Sequence, residues 1–319
     1  FFYFFYLILI IMTVILLHKE FIISSSKFLL SFFLLLLLSS LESSNPYTTG
    51  LSMNTSASNK IKMTSAPSSA STTNNPNGPL ELYYFGVFAR VASVFALEHS
   101  GLEYIYQRPD NWKGMKPTLA WGCLPCLKNL PPDHTVALTG GRDGNDDDDV
   151  GQELAILYYI AAVSPSSKMK GASLSDELIS MQLFGEGEDI YKHLVNIKYK
   201  LVSNDHAINF WLKSKQDPAS HNKDFGIYVI LELLEKFYTK CNHGGTTGKF
   251  TDSGCTVGEC KLWTSLHCVH MIDPSVLNDP QCMGVNAFYK RFKSLPATQK
   301  ILNDSTNVFR QYFMKLEGL

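Results

Sequence analysis

Three groups of side chains have types and spacings that could do chemistry. Cys123 and Cys126 form Cys-x-x-Cys, the arrangement of a dithiol redox pair. Cys241, His243, Cys255, Cys260, His267, Cys268 and His270 concentrate the donor types of a zinc site. The stretch GGRDGNDDDD runs into the carboxylates Asp146 to Asp149, which offer oxygen ligands to a hard cation.

Spacing weakens all three. Redox pairs of low pKa sit at a helix N-terminus, whereas Cys123 and Cys126 flank Pro125 on an expected strand, where alternation and the proline disfavour a disulfide. The Cys/His group has no tight Cys-x-x-Cys pair. His267 and His270, three apart on a helix, share a face, but core thiols and surface imidazoles are the simpler reading, and no metal is expected. Adjacent aspartates lack the spaced ligand pattern of a calcium loop, so a surface loop is expected there, with cation binding as the alternative.

The elements that must position functional residues begin at Leu80. Leu80, Leu82 and Tyr84 alternate with Glu81 and Tyr83, Gly86 breaks the run, and Val91 to Leu97 is apolar: a strand, a turn and a helix. Gly101 stands at a helix C-cap, and Leu102 to Tyr106 reads as a second strand. Trp121 to Leu127 is a third apolar segment, Val136 to Leu138 a fourth strand, and Gln152 to Val163 a helix burying Leu154, Ile156, Leu157 and Ile160. Pro125 cannot donate to a sheet ladder, so it marks an edge or a bend, for which a cis peptide bond is one solution. After Pro165 no strand is expected. The spacing is helical in Leu174 to Leu201, Ala207 to Leu212, Phe225 to Tyr238, Val257 to Ile272 and Val285 to Ser294. Thr256 and Glu259 spell a capping box, a structural signal without catalytic weight.

The chain has 319 residues, 45% of them hydrophobic, enough for packed cores in two domains. Its 28 basic and 29 acidic residues leave no surplus positive charge for phosphates, which argues against nucleic acid. Seven dispersed cysteines are not the dense framework of a small secreted domain and are expected to be mostly reduced. Residues 1–52 differ from the rest. Phe1 to Leu17 reaches the lower length limit for a bilayer span, and Phe28 to Leu38, preceded by Lys27, has the length of a signal-peptide core. A hydrophobic leader is expected, acting as signal or anchor, or else lying outside the translated protein, because Phe opens the sequence, Met12 falls inside the first run, and Met53 and Met63 are available starts. Residues 53–79, rich in Ser, Thr, Asn and Pro, read as a solvated linker.

Four segments in order carry a family resemblance: LYYFGVFAR (Leu82 to Arg90), WKGMKPTLAWGCLPCL (Trp112 to Leu127), GQELAILYYIA (Gly151 to Ala161) and FYKRFKSLPATQKIL (Phe288 to Leu302). Together they resemble the cytosolic glutathione transferases, most closely the sigma-like class of haematopoietic prostaglandin D synthase. The resemblance implies a thioredoxin-like α/β domain over residues 80–164 and an all-α substrate domain over 165–319. It further implies glutathione as co-substrate, a hydrophobic electrophile as second substrate, a homodimer with each site near the subunit boundary, and a cytoplasmic location. Membrane anchoring or secretion is the alternative if the leader is retained.

A thiol attacks only as thiolate, and lowering its pKa from about 8.5 by two units requires roughly 2.7 kcal/mol of preferential stabilisation. A hydroxyl donor to the sulfur supplies roughly 1.5 to 3 kcal/mol. By resemblance that donor is Tyr84, with Arg90 stabilising negative charge nearby; Tyr83 must face the other side of the strand. Otherwise either tyrosine is a core-packing strand residue, and Arg90 a solvated cation. Trp112 and Lys116 correspond to ligands of the glycine carboxylate, and Leu124 to a backbone partner of the cysteinyl segment, with Pro125 shaping the loop. Cys123 would lie beside bound glutathione, open to glutathionylation. Gln152 would meet the glutamyl end, whose carboxylate would rest on the helix amides that follow.

Three departures from the family stand out, one of them the connection between Pro131 and Val150, which GGRDGNDDDD makes longer than usual. Glu153 occupies the usual Ser or Thr position, where a carboxylate about 4 Å from the ligand's own would cost roughly 1 to 4 kcal/mol. Alternatively it points to solvent as a first-turn acid. No residue in Asp176 to Leu194 clearly matches the acid with which the sigma class assists a neighbouring subunit. The competing expectation is a non-catalytic binding or structural protein on the same fold.

Overall fold

The alternation at the start of the folded region builds strand β1 (Leu80–Tyr83), with Leu80 and Leu82 buried and Glu81 and Tyr83 half-buried. The computed structural model describes residues 78–132, 134, 149–165, 168–211, 226–241, 246–304 and 309–313. Short β2 (Val87–Phe88) follows, and then α1 (Ala92–Ser100), which ends on Gly101 in the left-handed conformation, φ 75°. This crossover lets β3 (Tyr104–Gln107) pair parallel with β1, Leu82 opposite Tyr106. The short helix α2 (Trp112–Met115) leads to β4 (Cys126–Lys128), antiparallel to β1, and β5 (Val150–Gly151) is antiparallel to β4. The result is a mixed four-stranded sheet in the order β3-β1-β4-β5.

The third strand is shorter than the apolar segment from Trp121 predicted. Leu124–Pro125 is a cis peptide, and the ladder begins only at Cys126. The fourth strand of the sheet is Val150–Gly151. Val136 to Leu138, His243, the acidic run before Asp149 and the hydrophobic leader lie outside the described residues.

Helix α3 (Glu153–Val163) buries Ile156, Leu157 and Ile160 as expected, but Leu154 is 44% exposed. It shares its face with Tyr158, one turn on and 61% exposed, and that face turns away from the sheet. The helical part follows with α4 (Leu174–Lys198), α5 (Asn204–Trp211), α6 (Ile227–Cys241), α7 (Val257–Ile272), α8 (Met283–Ser294) and α9 (Pro296–Asn303). Contrary to expectation, a two-residue strand ends it. β6 (Arg310–Gln311) pairs parallel with β2, and the Arg310 amide donates to the Gly86 carbonyl at 3.0 Å. Two residues are too few for an alternation to register in sequence. Among the described residues no helix is long and apolar enough to cross a membrane.

Helix α7 is buried on nearly every side and lies hard against α4. A Cβ at Gly258 would fall 1.8 Å from the Ser180 carbonyl oxygen, so only glycine permits this approach. The Gly258 amide donates to Ser180 Oγ at 3.0 Å, and Ser265 Oγ donates to the Gly187 carbonyl at 2.7 Å. The capping box fixes where α7 starts. The Glu259 carboxylate, fully buried, accepts from the amides of Phe250 (3.0 Å), Thr251 (3.3 Å) and Thr256 (3.0 Å), and from the Thr251 hydroxyl at 2.7 Å. Glu259→Ala orphans three buried amides at about 1 kcal/mol each, so urea unfolding should show a stability loss of about 3 kcal/mol.

Candidate functional site

Tyr84 follows β1 directly, its side chain 4% exposed and on the opposite side from Tyr83, whose hydroxyl donates to Glu81 at 2.8 Å. The backbone at Tyr84 is held by its own amide on the Gln107 carbonyl (3.0 Å). The Tyr106 hydroxyl lies within reach of the carbonyls of Tyr84 (3.1 Å) and Phe85 (2.8 Å). Tyr84 Oη accepts from the Arg90 amide at 2.8 Å, and its proton is donated to no described residue. Burial first, and then the neighbouring Tyr191, raise its pKa well above the ordinary phenol value. At neutral pH it is a fixed hydroxyl donor.

The Arg90 side chain turns to α4. Its two terminal nitrogens grip the Glu188 carboxylate at 2.7 and 3.1 Å, one of them also reaches Glu153 at 3.4 Å, and the guanidinium lies 4.5 Å from the Tyr191 ring centroid. Glu153 corrects the solvent-facing alternative, because its side chain is 1% exposed. It accepts from Lys261 Nζ at 2.6 Å and from the Ala92 amide at 3.2 Å. Lys261, equally buried, also meets Glu188 at 2.8 Å and lies 4.8 Å from the Tyr191 centroid. Two cations and two carboxylates thus close a neutral cluster between the sheet part and the helices. Burial raises Glu188, but Lys261 and Arg90 outweigh it and leave the carboxyl below its usual range.

Of the remaining residues singled out in the sequence, Trp112 is linked to Tyr84 through the Phe85 ring, and Gln152 meets Cys123. Trp112 packs edge-on against Phe85, ring centroids 5.4 Å apart. Lys116 is exposed beside Gly122, where a Cβ would come 3.6 Å from the Lys116 carbonyl. Gln152, capping α3 with φ 69°, donates through Nε2 to Cys123 Sγ at 3.7 Å. Leu124 and cis Pro125 lie between Cys123 and β4. The first bonded amide of α3 is that of Ile156, on the Gln152 carbonyl at 3.1 Å. The amides of Glu153, Leu154 and Ala155 therefore have no partner among the described residues.

No family model and no curated protein matches the chain. Solved structures do. The glutathione S-transferase of Ascaris lumbricoides aligns with a TM-score of 0.50 at 18% identity, over 70% of this chain and 95% of that one. The fold is that of the glutathione S-transferases. The Pi-class glutathione S-transferase of Onchocerca volvulus follows at 0.49 and 16% identity (70% and 91% covered), and prostaglandin synthase D of Nilaparvata lugens at 0.47 and 13% (71% and 98%). The resemblance read from the motifs is borne out at the level of fold.

On this glutathione S-transferase fold the Cys-x-x-Cys pair is unjoined, as all seven cysteines are free. Burial first, and then the charge of Asp149, raise the Cys126 thiol well above its usual value. His267 and His270 do share a face, with ring centroids 5.9 Å apart. His267 stacks on Trp263, its Nδ1 is 2.7 Å from the Tyr289 hydroxyl, and burial followed by His270 pushes its pKa down to about 3. Among the described residues no group of three or more His, Cys, Asp or Glu side chains could hold a metal ion.

Sequence reasoning missed Glu188 and Lys261. Lys261 left a trace, a lone cation between Cys260 and the apolar Leu262 and Trp263, which demands a buried partner. Glu188→Gln should cost about 3 kcal/mol in urea unfolding, because Arg90 and Lys261 both lose a counter-charge. Folding lowers the Glu188 pKa, so its contribution is complete above the ordinary glutamate value of about 4.3 and lost as the pH falls through the lower folded value. Acid melts of the variant should therefore decline less steeply than those of the parent below about pH 4.

Proposed function

We propose that the chain is a glutathione transferase that stabilises the glutathione thiolate with the Tyr84 hydroxyl and directs it at a hydrophobic electrophile. The observation that carries the reading is the state of that hydroxyl: its oxygen is occupied by the Arg90 amide, while its proton is bound to no described residue. A hydrogen bond to sulfur made beside a nearly buried ring is strengthened by the loss of competing water. The thiolate then attacks the electrophilic carbon, the sulfur–carbon bond forms, and the leaving group departs with its electron pair. A peroxide-type lipid isomerised with glutathione as co-substrate is a variant of the same site, and detoxification is the physiological setting the conjugation reading fits.

In this reading Trp112 and Lys116 hold the glycine carboxylate, Leu124 pairs its backbone with the cysteinyl segment, Pro125 shapes the loop, and Cys123 lies beside it. Gln152 and the first amides of α3 take the glutamyl end. Residues 80–164 form the glutathione domain, 165–319 the substrate domain, 1–52 the leader and 53–79 the linker. Seven free cysteines support a reducing, cytoplasmic setting. A homodimer is supported by the exposed Leu154, Tyr158, Leu178 and Met181 on α3 and α4, beside a mostly apolar groove that Lys170 and Glu177 also line. The non-catalytic alternative rests on Glu153 and on the lack of a matching acid in Asp176 to Leu194; the pairing of Glu153 with Lys261 weakens the first of these.

Tyr84→Phe should lower kcat/KM for conjugation of an aryl halide by about 100-fold while calorimetry gives glutathione affinity within about threefold of the parent. The alkaline rise of the rate should move towards the free thiol value of about 8.5. Unchanged rates would remove Tyr84 from the chemistry. Met181→Glu should convert a dimer to a monomer in sedimentation velocity.

A further inference from the structure

Glu153 contributes two opposed features to one place. Its amide belongs to the open first turn of α3, which favours a ligand carboxylate, while its side chain brings a negative charge to the same turn. The structure resolves the conflict by drawing that side chain inward to Lys261, 108 positions away in sequence, at 2.6 Å. Arg90 stands at 3.4 Å from the same carboxylate, but it is committed in bidentate fashion to Glu188. Lys261 also meets Glu188 at 2.8 Å, but its contact with Glu153 is shorter than that of Arg90 and fully buried, which makes it the principal counter-ion of Glu153. The charged groups that meet here are Arg90 and Glu153 from the sheet part and Glu188 and Lys261 from α4 and α7, and they sum to zero.

We propose that Lys261, a helical-part residue outside the thiol-activating machinery, is a specificity-determining residue for the glutathione site. It neutralises Glu153 so that the first turn of α3 accepts the glutamyl carboxylate. The inference rests on the glutathione reading above and deepens it. Its content is electrostatic and local, so it separates from a structural role by sign. Removing Lys261 leaves the cluster with one net negative charge beside the incoming carboxylate, and removing the charge of Glu153 leaves one net positive charge. The first change weakens binding and the second tightens it, whereas simple damage to packing weakens binding in both.

The test is calorimetric titration of reduced glutathione into the full-chain protein and its Lys261→Met, Glu153→Gln and doubly substituted forms, with folding checked by thermal melting. Lys261→Met should bind about tenfold more weakly and Glu153→Gln several-fold more tightly, and the double variant should return to within about threefold of the parent. A glutathione analogue whose glutamyl α-carboxylate is amidated should show no loss with Lys261→Met. Weaker binding in both single variants, or no change in either, overturns the role of Lys261 and leaves the glutathione reading standing. No binding of glutathione by the parent overturns both. If Lys261→Met does not fold, the Glu153→Gln result alone decides, since only the electrostatic role predicts tighter binding.

Discussion

Burying a charge is expensive, and between the sheet and the helices Glu153 and Lys261 are buried together, with Glu188 and Arg90 partly covered beside them. Lys261 and Glu153 have side chains only 1% exposed, at a depth where an unpaired ion costs several kcal/mol. The cost is offset only because each ion has its partners in place: Glu153 has Lys261 and the Ala92 amide, and Glu188 has Arg90 and Lys261. Such a cluster adds little net stability compared with an apolar core, but it tolerates few alternative arrangements. It therefore demands that α3, α4, α7 and the turn before α1 come together in one register, and the close approach of Gly258 to Ser180 supplies that register on the helical side.

Tyr84 inherits its setting from this arrangement. The Arg90 amide reaches the Tyr84 oxygen while the Arg90 side chain is anchored in the cluster, so the backbone that orients the hydroxyl is tied to helices far along the chain. On the other side Tyr106 pins the carbonyls of Tyr84 and Phe85. The Tyr84 oxygen is held by the Arg90 amide, and burial keeps the hydroxyl protonated at neutral pH. The tail strand β6 completes the enclosure: Phe309 packs edge-on against Phe88 and Tyr106, and Phe313 packs against Tyr191, the ring that lies next to both Arg90 and Lys261.

Much of the fold was legible because it is written in local periodicity. The alternation around Leu82, the glycine at 101, the helix after Gln152 and the capping box at Thr256 are short-range signals, and each became the element it implied. Part of the candidate site was legible as a string of motifs, which set Arg90 near Tyr84; the two meet through the Arg90 amide, while the guanidinium turns to Glu188. The motifs did not reveal that Glu153 faces inward, that Leu154 and Tyr158 face outward, or that a two-residue strand returns to β2.

The sequence by itself determined the longer strands and helices and their order, and most of the apolar faces that build the core. Periodicity records burial, and burial of apolar area is a local preference summed along the chain. Only the tertiary structure decided which charges neutralise one another. Arg90 and Glu188 are 98 positions apart, Glu153 and Lys261 108. Ion pairs between side chains this far apart, unlike the i,i+4 pair of Glu232 and Lys236, leave no period in the sequence. Such a pair exists only once packing has carried two distant side chains out of water to the same point, where each becomes the condition for the other's burial.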